Sequence, residues 1–474
     1  MKIKANYKSH PVDAYNENPL TEVIRVYLDD ETIRQKLTVK PNIQDDLWEL
    51  PPVYQKGVLR KLTELHIPAP KIFELYEKFV ILTLESYALN NPMSADTVKL
   101  QMEAATSARN DQMMSSSISS RTTAPSVLVY GHSGTGKTTL IRQALSLMPQ
   151  VVEHDSYNGK VFKQDQLVWL SFDLPSTAST KGLALNFFQA VDEALGTEYY
   201  LHWKDKSHRT VERHLGEIQV IALTHHIGIV HIDELQFMLK YGKAKSAPSF
   251  TTIEALFNKL GIPIVLSSTT AGRDIFLAGQ NSPDFTTIRR LLTDREYMVP
   301  TYSLKGSFFR PLFNELFSKI VCTEHGIPDE AFITQFHHHT CGLPAMMIRL
   351  ACLHHETIVS MRKKDSKNME HYQTNDSALL DAVFKDQFSL ISNSLDKLRS
   401  GNVNGFEKDI AETNSSDSCF TNSEISKARE ESRIKASKDI EIDNTTPLGI
   451  PTVIPSTETS EEVDGYNQQG ALNA

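Results

Sequence analysis

An α/β fold is predicted for this chain: a parallel sheet flanked by helices, with a helical appendage before it and a helical lid after it. Three observations predict it. The first is a glycine-rich turn, Gly131-His132-Ser133-Gly134-Thr135-Gly136-Lys137-Thr138, set between the β-branched run Val127 to Tyr130 and a helix-forming run from Thr139. The second is Ile227-Gly228-Ile229-Val230-His231-Ile232-Asp233-Glu234, an apolar run ending in two acids, which reads as a buried parallel strand. The third is alternation. Leu167 to Phe172 and Ile262 to Leu266 read as strands, while Leu183 to Leu195 and Val211 to Leu223 read as helices, giving a βαβ series with helices on both faces of the sheet.

Each element carries chemistry. The backbone N–H groups of a glycine-rich turn wrap a β-phosphate, and the helix that follows points its positive end at the same charge. Gly131, Ser133, Gly134, Thr135, Gly136, Lys137, Thr138 and Thr139 are therefore the candidate contacts to a nucleoside triphosphate, with Lys137 reaching the β- and γ-oxygens. Thr138 and Asp233 are the candidate Mg²⁺ ligands. Glu234, one residue on, is placed to deprotonate a water for in-line attack on the γ-phosphorus, which favours ATP hydrolysis over simple binding. His231 reads as a tolerated strand residue.

The chain has 474 residues and a mass of 53.3 kDa, enough for two or three cores plus flexible ends. No stretch approaches the roughly 20 apolar residues of a membrane span, and Met1-Lys2-Ile3-Lys4 leads into polar residues, so a cytoplasmic location is expected. Cys322, Cys341, Cys352 and Cys419 show no paired spacing, which suits free thiols in a reducing compartment. A net charge of −9 lacks the footprint of a strongly basic DNA binder. A ring or filament nevertheless multiplies a modest local charge on an inner face.

Organisation follows from the patterning. Leu20, Val23, Ile24, Tyr27 and Leu28 make one apolar helix stripe, and Ile72, Leu75, Tyr76, Phe79 and Leu82 another, within a helical appendage over 1–105. A Ser-, Thr- and Met-rich linker is predicted over 106–124, the nucleotide-binding core over 125–305 and the helical lid over 306–397. Lid helices are read at Phe308 to Val321, Pro328 to His338 and Pro344 to Met361. The tail, 398–474, is too polar to offset its ordering entropy and reads as disordered. Within it, Pro447 to Pro455 is apolar and proline-bounded, the shape of a peptide that docks on a partner. His337, His338, His339, Cys341, Cys352, His354 and His355 match no zinc spacing and read as structural.

Together with the two nucleotide motifs, Ser179 to Phe188 with Val191-Asp192 and Leu195-Gly196-Thr197, and the stretch Glu85-Ser86-Tyr87-Ala88-Leu89-Asn90-Asn91-Pro92, make residues 60–360 resemble AAA+ regulators of DNA transposition of the TnsC and TniB type. The resemblance implies an AAA+ P-loop ATPase fold with a lid. It implies that Thr269, at the tip of the strand Ile264 to Ser268, holds the attacking water or γ-phosphate, with Ser268 as the alternative. It implies that Arg289 or Arg290 acts as a finger on the neighbouring subunit's γ-phosphate. Alanine stands at Ala345 where such lids carry an arginine, and Arg349 is one turn later. The resemblance also implies contact with the phosphates of double-stranded DNA, for which this chain offers Lys181, Lys204, Lys206, Arg209 and Arg213. The implied partners are a transposase, a target-selector protein and further copies of the chain in a ring or helical filament. The rival readings are an origin-binding or helicase-loading AAA+ machine, and a signalling P-loop ATPase that acts on proteins.

Overall fold

The strongly apolar, β-branched runs of the chain can only be buried on both faces, and that requirement organises the fold. The computed structural model describes residues 2–24, 28–114, 124–206, 208–241, 248–257, 260–273, 296–402 and 405–406. The strands are β1 (Lys2–Lys4), β2 (Ser126–Gly131), β3 (Val151–Tyr157), β4 (Lys160–Leu167), β5 (Trp169–Asp173), β6 (Ile229–Asp233), β7 (Ile264–Ser268) and β8 (Glu296–Val299). Five of them form one parallel sheet in the order β5-β6-β7-β2-β8. The glycine-rich turn leaves the carboxyl end of β2, and Asp233 ends β6.

Helices cover both faces. They are α1 (Pro19–Glu22), α2 (Asp30–Leu37), α3 (Pro52–Arg60), α4 (Lys71–Leu89), α5 (Ala95–Arg109), α6 (Lys137–Ser146), α7 (Thr180–Leu195), α8 (Tyr199–Lys204), α9 (Val211–Thr224), α10 (Phe237–Tyr241) and α11 (Phe250–Phe257). Val127 and Val129 of β2 face a cluster containing Phe79, Val80, Ile141 and Leu145 of α4 and α6. Leu128, between them, faces the opposite cluster, with Phe187, Phe188, Ile218 and Phe257 of α7, α9 and α11. The period of two in β2 thus splits the core into two layers.

The lid comprises α12 (Phe309–Leu316), α13 (Glu330–Thr340), α14 (Pro344–Lys364), α15 (Ser377–Gln387) and α16 (Ser389–Arg399). Pro344 opens α14 at a position where its missing N–H costs nothing. His354 and His355 bond the carbonyls of Thr374 and Leu316 at 2.9 and 3.0 Å, so these histidines tie α14 to its surroundings.

Two features lie outside the expected pattern. The run read as a strand over Leu167 to Phe172 is β5 from Trp169 on, while Leu167 ends β4, which turns back antiparallel on β3 through Asn158 and Gly159, both left-handed at φ 48° and 76°. An Asn-Gly pair suits this hairpin turn. The segment read as an appendage is knitted into the core: β1 pairs in parallel with β3, and Asn18 donates to the Tyr87 carbonyl at 2.7 Å. The helix α5 extends to Arg109, into the stretch read as linker. All described residues fall in one compact unit, 1–412. Positions 115–123 of the expected linker, Tyr27, Arg289, Arg290, Cys419 and the peptide Pro447 to Pro455 lie outside the described residues. Among the described residues no helix is long and apolar enough to cross a membrane.

Candidate nucleotide site

The turn between β2 and α6 takes its shape from glycines that no other residue replaces cheaply. Gly134 and Gly136 are left-handed at φ 83° and 87°, and a Cβ on Gly131 would stand 2.3 Å from the carbonyl oxygen of Val299. Lys137, the first residue of α6, bends over the turn and donates to the carbonyls of Gly131 and His132, each at 2.9 Å. Thr135 closes the loop by donating to the His132 carbonyl at 2.8 Å. These contacts hold an ammonium group and a helix amino terminus over one concave surface, the arrangement that receives a polyphosphate.

That surface is one wall of a cavity of about 370 Å³. Its polar end is lined by Ser133 to Thr139, Asp233, Glu234, Gln236 and Thr269, and its apolar end by Leu65, Ile67, Ala69, Tyr302, Phe308, Leu312 and Ile348. His66 Nε2 and Gln143 Oε1 are buried polar atoms of the same wall. Burial holds the His66 imidazole below its ordinary pKa, with the Gln143 side chain opposing the shift. An apolar slot with a few buried polar atoms, joined to a cationic phosphate cradle, fits the two ends of a nucleotide.

The acids sit where the strand predicted them. Thr138 donates its hydroxyl to Asp233 Oδ2 at 2.6 Å, the Glu234 N–H donates to Oδ1 at 2.8 Å, and Ser267 donates to Oδ1. Burial pushes the Asp233 carboxyl up, but His231 and these three donors together hold it below its ordinary range. The donor set of Thr138 and Asp233 is all oxygen, with one carboxylate ionised, which fits a hard divalent cation such as Mg²⁺. Such an ion, when bound, neutralises phosphate charge.

Glu234 is a non-glycine residue at φ 60°, a left-handed conformation that costs of order 1 kcal/mol or more. The strand end thereby turns so that consecutive acids do different things. Asp233 points to Thr138, and Glu234 enters the cavity, its carboxylate accepting from Gln236 Nε2 at 2.5 Å. The Thr269 N–H donates to the other end of the same Gln236 side chain at 3.3 Å, and the Thr269 hydroxyl accepts from the Gly272 N–H at 3.1 Å. Of the two alternatives at this strand tip, Thr269 lines the cavity, while Ser268 is buried in β7 with its hydroxyl unpaired.

The lid closes on the turn through backbone. The Ala345 N–H donates to the Gly134 carbonyl at 3.4 Å, whereas Arg349 donates to the Gln387 carbonyl at 3.0 Å and lies over the Phe388 ring. Arg349 thus serves the lid. The DNA candidates divide likewise. Lys206, Arg209 and Arg213 line a second cavity, of about 190 Å³, with Arg109, Asp111 and Trp203. Lys181 donates to the Arg209 carbonyl at 2.6 Å, and Lys204 lies over the Tyr200 ring. Arg289 and Arg290 are not among the described residues.

Three contributors to the site were not read from sequence. The apolar wall from Leu65 to Ala69 is remote in the chain. Gln236 had no motif to mark it, although a residue two beyond Glu234 lies within reach once the strand end turns. His231, read as a tolerated strand residue, is bonded on both ring nitrogens, to Ser171 and Ser267 at 2.9 Å each.

Residues 120–276 match the family model described as AAA domain. The match agrees with the AAA-type P-loop fold seen in the parallel sheet and the turn between β2 and α6. A Walker-type ATPase of Pyrococcus abyssi is similar at 16% identity and a TM-score of 0.34, over 64% of this chain and 75% of that one. A structure of Drosophila ORC bound to DNA is similar at 12% identity and a TM-score of 0.30, over 67% of this chain and 70% of that one. No curated protein matches.

Proposed function

We propose that this protein is an ATP-hydrolysing AAA+ regulator that assembles on double-stranded DNA as a ring or helical filament and links target-site selection to transposase recruitment. The observation that carries hydrolysis is the turned end of β6: Asp233 engages Thr138, and the strained Glu234 enters the phosphate end of the cavity. Lys137 and the loop N–H groups bind the triphosphate, Thr138 and Asp233 hold Mg²⁺, and Glu234 accepts the proton of the attacking water. Thr269 orients that water or the γ-phosphate from the neighbouring strand. Arg289 or Arg290 of an adjacent subunit supplies charge to the transition state.

The DNA and transposition parts rest on the sequence resemblance and on the cationic cavity of Arg109, Lys206, Arg209 and Arg213. Phosphate contacts of that kind grip a duplex without reading it, so target choice falls to the selector protein. Nucleotide state then sets how long the oligomer stays on DNA. The test is Glu234→Gln. Turnover should fall by roughly 100-fold or more while ATP binding and ATP-dependent assembly on a DNA duplex persist, as read by phosphate release and electron microscopy. Rapid phosphate release by this variant removes Glu234 from the mechanism. Wild-type protein that stays monomeric and ignores DNA with saturating ATP and Mg²⁺ removes the assembly reading.

A further inference from the structure

Asp233 is held by more than its immediate neighbours. Its Oδ1 accepts from the Ser267 hydroxyl. A hydroxyl carries one proton, so Ser267, having given it to the carboxylate, must accept at its other contact, His231 Nε2 at 2.9 Å. That nitrogen is therefore the protonated one. In a neutral imidazole Nδ1 then accepts, and its partner at 2.9 Å is the Ser171 hydroxyl. Ser171, its proton spent in turn, accepts from Arg142 Nε at 3.3 Å. All the proton positions follow from this one starting point, and every donor points the same way, from a guanidinium to a carboxylate.

The path crosses the sheet. Ser171, His231 and Ser267 lie on the neighbouring strands β5, β6 and β7, and Arg142 is on α6, one turn beyond Thr138. Arg142 also bonds Asp173 at 3.1 Å, and Asp173 is the residue paired with Asp233 in the β5–β6 register. Thr138 closes the circuit on Oδ2. His231 and Ser267 are fully buried, so their polar atoms have no water to fall back on. An apolar side chain would be the cheaper occupant of position 231, between Val230 and Ile232 in the buried strand β6.

We infer that Ser171, His231 and Ser267 form a positioning chain that fixes the orientation of the Asp233 carboxylate and so sets how strongly Mg²⁺ is held beside Thr138. The inference rests on the proposed Mg·ATP site, and goes beyond it in assigning three residues that touch neither nucleotide nor metal. Oδ1 is anchored by the chain together with the Glu234 N–H, which leaves Oδ2 on the Thr138 side, where the residue lines the cavity. Partners of this kind typically govern metal affinity by 10–100-fold.

The test compares the affinity of a fluorescent, non-hydrolysable ATP analogue with and without Mg²⁺. In Ser267→Ala, roughly tenfold of the Mg²⁺-dependent tightening should be lost, with metal-free affinity unchanged. Ser267→Thr keeps the hydroxyl and should restore the response. Ser171→Ala should lose less, in the same direction. A folded Ser267→Ala with the full Mg²⁺ response overturns the inference, as does a Ser267→Thr no better than the alanine variant. If thermal unfolding shows that Ser267→Ala does not fold, Ser171→Ala decides, and an undiminished Mg²⁺ response in it is the overturning result. Wild-type protein that tightens with Mg²⁺ but does not turn ATP over removes the hydrolysis reading and leaves the chain standing; wild-type protein with no Mg²⁺ response removes the chain.

Discussion

At the scale of single residues, the site works by restraining groups that would otherwise compete. Gln236 holds one carboxylate oxygen of Glu234 and, at its other end, takes the backbone N–H of Thr269. A donor on a carboxylate stabilises its charge and weakens it as a base. Removing that donor in Gln236→Ala should raise basal ATP turnover by up to roughly tenfold, the worth of one charge-assisted hydrogen bond. A steady-state rate that stays the same or falls would instead make Gln236 the group that aims Glu234. The glycine-rich turn and the two acids were legible because their chemistry is local. Gln236 and His231 were not, since their partners come from other strands and nothing in the linear pattern names them.

At the scale of elements, α4 shows how a recognisable stretch acquires a physical meaning. Tyr87, near its end, is fully buried; its hydroxyl donates to the His226 carbonyl at 3.0 Å, and its own carbonyl accepts from Asn18. Asn90 donates to the Leu260 carbonyl at 3.1 Å and Asn91 to the Glu17 carbonyl at 3.1 Å. The Tyr-x-x-Asn-Asn-Pro run is thus the joint between the amino-terminal segment and the loops that enter β6 and β7. Tyr87→Phe leaves the His226 carbonyl without this donor and should cost about 1–3 kcal/mol, read as a lowered urea midpoint. An unchanged midpoint would show that the joint is held by packing alone. The β3–β4 hairpin has a local signal in Asn158-Gly159, but its pairing with β1 joins segments about 150 residues apart, which no local pattern shows.

At the scale of the whole molecule, buried histidines in several layers share one liability. Burial pushes His226 down to about 3 and His354 down to about 4, and it likewise lowers His154 and His355. The folded-state pKa lies below the unfolded value near 6.5, so the unfolded chain takes up protons first. The neutral, folded form is unaffected above that value. Stability should then fall as pH drops from about 6.5 toward the folded pKa, by up to roughly 1.4 kcal/mol per pH unit for each group. Unfolding midpoints at pH 7.5, 6.5 and 5.5 check this; a midpoint flat from 6.5 to 5.5 would mean that these groups are solvated or protonated in the native state.

The sequence by itself determined the class of fold, and it marked the glycine-rich turn and the two acids that line one end of the cavity. A phosphate cradle is made of consecutive residues, and a buried strand ending in acids shows in its own hydrophobicity. Only the tertiary structure decided what surrounds them. It joined Leu65 to Ala69 to the nucleotide cavity, turned an expected appendage into part of the core, and threaded Ser171, His231 and Ser267 into one line toward Asp233. Those relations depend on sheet order, and sheet order is set by how distant segments bury one another, which no short stretch of chain encodes.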